Sequence, residues 1–64
     1  MNRGDLLRRL QQHGCCLKRE GSSHSLWCSP VTGAVEAVSR HVEIANVLAR
    51  KICRNLSVPE IGRE

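Results

Sequence analysis

Along the 64-residue chain the apolar positions change period twice. In residues 5–13, Leu6, Leu7 and Leu10 share one stripe of a 3.6-residue repeat, which predicts a short amphipathic helix. Asp5 is placed to cap its first turn, and Gly14 stands where a left-handed terminator is needed. His13 falls in the last turn, where the helix dipole favours an imidazolium, so it reads as a structural residue. Residues 15–19 then read as an extended segment with Cys15 and Leu17 on one side and Cys16 and Lys18 on the other, broken by Glu20, Gly21 and Ser22. In residues 23–29 the alternation puts His24, Leu26 and Cys28 on one face and Ser23, Ser25 and Trp27 on the other. Pro30, Val31, Thr32 and Gly33 force a reversal into a third strand over residues 34–38, with Val35 and Ala37 facing opposite to Ala34, Glu36 and Val38.

After residue 41 the helical period returns, with Leu48, Ile52 and Leu56 four apart and Arg50, Lys51 and Arg54 mostly off that stripe. Asn46 is the candidate cap, a start as early as Val42 is also open, and Pro59 lies past the end. A frayed tail is expected over residues 60–64, leaving an ordered part of about residues 3–58. The predicted fold is a small α+β domain in the order α-β-β-β-α. It has a three-stranded antiparallel meander, both helices on one face and the other face free.

Length makes this one domain, because small globules bury only about 60% of the surface their unfolded chains expose. Trp27 is the sole aromatic residue, so the core is to be built from aliphatic layers, with Trp27 packed between sheet and helix. Ten Lys and Arg against six Asp and Glu give a net charge of +4, which favours a polyanionic partner. Cys15, Cys16, Cys28 and Cys53 are expected to be reduced, mostly buried thiols of a cytoplasmic protein, since residues 1–9 lack the apolar run of an export signal. No zinc site is expected: adjacent Cys15 and Cys16 are poorly disposed to share one tetrahedral ion, and no Cys-x-x-Cys spacing occurs. No stretch approaches the roughly 20 apolar residues that span a bilayer.

The segment KREGSSHSLWCSP over residues 18–30, followed by Thr32-Gly33 and by Ser39-Arg40-His41, resembles the HicA family of toxins. The likeness runs from Asp5-Leu6-Leu7 to the helix containing Ala49-Arg50-Lys51-Ile52-Cys53. It implies a fold similar to a double-stranded-RNA-binding domain, endoribonuclease activity on messenger RNA without metal or other cofactor, and a HicB-type antitoxin as protein partner. The family's catalytic histidine stands at the start of the second strand, after a loop of glycine and serine, and His24 has that place here. Ser25 fills the position where many members carry a second histidine, and Ser39 one where proline is frequent.

The chemistry fits those residue types. RNA carries its own nucleophile, the 2′-hydroxyl, so cleavage needs a group to take that proton, stabilisation of the charged phosphorane and a proton for the leaving 5′-oxygen. An imidazole with an unperturbed pKa of about 6.5 can take and return a proton near neutrality. Gly21, Ser22 and Ser23 would let an RNA backbone approach closely, and Lys18, Arg19 and Arg40 would supply positive charge around the phosphate. His41 is a candidate RNA contact. Two other readings stay open: a non-catalytic double-stranded-RNA-binding module of the same fold, and a protein-interaction module using the free sheet face.

Overall fold

The computed structural model describes residues 1–59; the expected tail over residues 60–64 lies outside the described residues. Its elements run α1 (Arg3–Gln12), β1 (Cys16–Glu20), β2 (His24–Cys28), β3 (Val35–Ser39) and α2 (Asn46–Asn55), the α-β-β-β-α order read from the periodicities. The strands form one antiparallel sheet in the order β1-β2-β3. Among the described residues no helix is long and apolar enough to cross a membrane.

Helix α1 starts earlier than its apolar stripe suggests. The Asn2 side chain caps it, accepting hydrogen bonds from the backbone N–H of Gly4 (2.8 Å) and Asp5 (3.3 Å), while Asp5 lies inside the first turn and pairs with Arg8 at 2.9 Å. The helix ends as expected: Gly14 takes a left-handed φ of 87°, and the Cys15 N–H returns to the Leu10 carbonyl at 2.9 Å.

Helix α2 begins at Asn46 with Ala45 at the cap position and no side-chain cap. The residues before it stay extended because their backbone groups are taken elsewhere: Arg3 N–H donates to the Val42 carbonyl and Ile44 N–H to the Met1 carbonyl, both at 2.7 Å. The buried face of the helix is Ala49, Ile52 and Cys53, continued by Leu56, whereas Leu48 is 38% exposed. A strict spacing of four drifts by roughly 40° per step around a 3.6-residue helix, so the alternation of three and four keeps Leu56 on the core side and leaves Leu48 at the flank.

Both helices pack on one face of the sheet. Leu6 and Leu10 of α1 and Ile52, Cys53 and Leu56 near the end of the chain enclose Cys15, Trp27, Val38 and Ile44 in a single cluster. Trp27 is buried as expected, and its Nε1 has no hydrogen-bond partner among the described residues. β1 is an edge strand outside the cover of the helices, so all five of its residues are exposed, including Leu17 at 47%. The cysteines divide evenly rather than being mostly buried: Cys15 and Cys53 are in the core, Cys16 is exposed and Cys28 half-buried.

Ile52→Ala is expected to lower the unfolding free energy by about 2–5 kcal/mol, a large share of what a domain this small possesses. Val47→Ala, on the exposed side of the same helix, should stay within about 0.5 kcal/mol of the parent. Urea titration followed by Trp27 fluorescence measures both.

Candidate functional site

The β1–β2 hairpin is tight because glycine permits it. Gly21 N–H donates to the His24 carbonyl at 2.8 Å, leaving Ser22 and Ser23 as the exposed tip. A Cβ on Gly21 would lie 2.8 Å from that same carbonyl oxygen, closer than real Cβ contacts come. The position therefore needs glycine for close backbone approach, and the turn delivers His24 as the first residue of β2.

Register decides what surrounds the histidine. Leu17 pairs with Trp27 but Arg19 pairs with Leu26, so Lys18 is an extra residue, a bulge in β1. A regular strand would put Arg19 on the packed side opposite Ser25 and Glu20 on the open side opposite His24. The bulge exchanges them: Arg19 faces outward beside Leu26, and Glu20 pairs with Ser25. Arg19, Gly21, Ser22, Ser23, His24 and Leu26 thus line one open groove of about 400 Å³, within the roughly 300–1,000 Å³ common for ligand sites.

Behind the groove runs a chain of polar contacts. Ser25, 1% exposed, accepts from Arg3 Nη2 at 2.8 Å and donates to the Glu20 carboxylate. Arg3 Nε also reaches the Ser39 carbonyl at 2.7 Å. Arg40 closes the other side, with Nη2 3.1 Å from Glu20 Oε1 and Nε donating to the Gly21 carbonyl at 2.9 Å. Because Ser39 pairs with His24 across β2–β3, Arg40 ties the end of β3 to the hairpin that carries the histidine.

The candidate residues therefore separate. His24, Arg19, Gly21, Ser22 and Ser23 come together around the groove. Arg40 is adjacent but spends part of its charge on Glu20 and one donor on Gly21, leaving other guanidinium N–H groups for a ligand. Lys18 is exposed at the bulge and is not part of the groove lining. His41 is exposed beyond β3, its backbone N–H bonded to Ser39 Oγ at 3.0 Å. Among the described residues no group of three or more His, Cys, Asp or Glu is gathered closely enough to hold a metal ion.

The positioning residues Arg3, Glu20 and Ser25 escaped the sequence reading. One signal for them existed: alternation puts Ser25 on the same face as Trp27, and a hydroxyl on a packed face demands partners. Comparison of the chain with protein-family models, with curated proteins and with solved structures finds no match.

Ser25→Ala strips a hydrogen-bond partner from both Arg3 and Glu20 and is expected to cost about 1–3 kcal/mol, read from the urea midpoint. Gly21→Ala should cost about 1–3 kcal/mol through overpacking. It should also move the backbone amide resonances of His24 and its neighbours in a heteronuclear NMR spectrum, while those of α2 stay in place.

Proposed function

We propose that this chain is the toxin of a type II toxin–antitoxin pair, a metal-independent endoribonuclease that cleaves messenger RNA and thereby arrests translation, with His24 as general acid and base. The observation that carries the reading is that the exposed His24 lines a groove together with Arg19 and the Gly21–Ser22–Ser23 loop. The HicA-like pattern of residues 18–30 and 39–41 points to the same histidine.

In this mechanism the RNA backbone lies against the small-residue loop, where no bulky side chain holds it away. Arg19 offsets the charge that develops on the phosphorane oxygens. His24 removes the 2′-hydroxyl proton as the oxygen attacks phosphorus, and it or a bound water protonates the departing 5′-oxygen. Arg40, anchored on Glu20 and Gly21, holds the loop closed and offers its remaining N–H groups to an adjacent phosphate. Neutralisation follows from covering the groove, so a HicB-type antitoxin is the proposed protein partner, and an acidic segment in it would complement the +4 charge.

Purified protein incubated with messenger RNA in EDTA should cleave it, and His24→Ala should reduce the rate roughly 100- to 10,000-fold while still binding RNA. Induction in cells should stop growth for the parent and not for the variant. RNA that is bound but intact after long incubation would identify a non-catalytic RNA-binding module instead. Growth arrest that survives His24→Ala would remove the mechanism.

A further inference from the structure

On the open face of the sheet, at the opposite end of β2 from His24, two thiols stand directly across a strand pair. Cys16 and Cys28 are Cα partners in the antiparallel ladder of β1 and β2, and their sulfurs are 3.3 Å apart. Cys16 is exposed and Cys28 half-buried, so a small reagent can reach the pair. The other two thiols are in the core, Cys15 at 5% exposure and Cys53 at 0%. The groove reading of His24 uses none of these four residues.

From this juxtaposition we propose that Cys16 and Cys28 form a reversible dithiol–disulfide site that takes a small-molecule disulfide of the glutathione type as its oxidant. Directly opposed residues of an antiparallel pair have Cα atoms about 4.5 or 5.5 Å apart, inside the roughly 4.4–6.8 Å span that a disulfide bridges. The ladder already fixes both backbones, and rotation of the side chains can close the sulfurs to the roughly 2.0 Å of an S–S bond.

The exchange runs in two balanced steps. The Cys16 thiol gives up its proton and its sulfur attacks the oxidant's S–S bond, forming a mixed disulfide and releasing one small thiol. The Cys28 sulfur, likewise deprotonated, then attacks Cys16 Sγ, forming the internal bond and releasing the second small thiol. The protein loses two hydrogens and two electrons, and the oxidant becomes two thiols. The hydrogen bond to Cys28, with burial and the neighbouring thiols adding to it, pushes the Cys16 pKa above the ordinary thiol value. Less thiolate is therefore present at neutral pH, and exchange accelerates as the pH is raised. Once formed, the bond staples the uncovered edge strand β1 to the strand that presents His24.

The 64-residue chain is treated with glutathione disulfide at pH 7 and pH 9, quenched in acid, alkylated and mapped by fragmentation mass spectrometry. The expected product is a monomer lighter by two hydrogens with a Cys16–Cys28 link, formed faster at pH 9. Its thermal midpoint should rise by roughly 12–24 °C for a loop of this length in so small a domain, and dithiothreitol should reverse the rise. Cys15→Ser should still form the link. Cys16→Ser, at an exposed position, and Cys28→Ser, at a half-buried one, should stop at a glutathione adduct. A link through Cys15 or Cys53, a stable adduct on the parent protein with no internal bridge, or a dimer joined through Cys16 would each overturn the proposal, and the map of the parent protein decides this without any variant.

Discussion

Glu20 lies between two guanidinium groups, reached by Arg40 directly and by Arg3 through the Ser25 hydroxyl. Each contact on its own is modest, because Glu20 and Arg40 are about half exposed and water weakens a pair of that kind. Their value lies in what they connect. Arg3 belongs to α1, Glu20 to β1 and Ser25 to β2, while Arg3 also reaches the Ser39 carbonyl and Arg40, just past β3, the Gly21 carbonyl. Four separate pieces of chain meet at one carboxylate, and the hairpin that presents His24 is held where they meet. The aliphatic cluster supplies the driving force for collapse, while this polar junction fixes the end of the sheet.

Most of the architecture was legible in the sequence because it rests on local periodicity. The stripe of Leu6 and Leu10, the alternation through His24, Leu26 and Cys28, and the reversal at residues 30–33 each respond to forces acting within a few residues, and each is present. Errors arose where a distant segment decided the outcome. Asn46 looked like a cap, yet pairing of residues 1–3 with residues 42–44 holds the approach to α2 extended and places the cap one residue earlier. Alternation put Cys15 and Leu17 on one side, but the helices do not reach the edge strand, so Cys15 is enclosed while Leu17 is exposed.

The groove was legible in part for the same reason. The sequence brought His24, Gly21, Ser22 and Ser23 together because they are neighbours in one turn. It had no way to separate Lys18 from Arg19, since their difference arises from a change of register across two strands. Nor did it reveal that Arg40 is tied to the hairpin, because Glu20 and Gly21 lie about 20 positions away in sequence.

The bulge at Lys18 makes the place where β1 breaks its pairing as important as its composition. From Leu17 to Arg19 the strand takes two steps against one on β2, so loss of Lys18 would remove the irregularity and leave Arg19 opposite Leu26 and Glu20 opposite Ser25, whereas an unbroken pleat through all the residues would turn them over. Two consecutive basic side chains are thereby crowded into the span of a single ladder step, and the carboxylate that follows reaches the helix-covered side only because one of its predecessors is left over in the pairing.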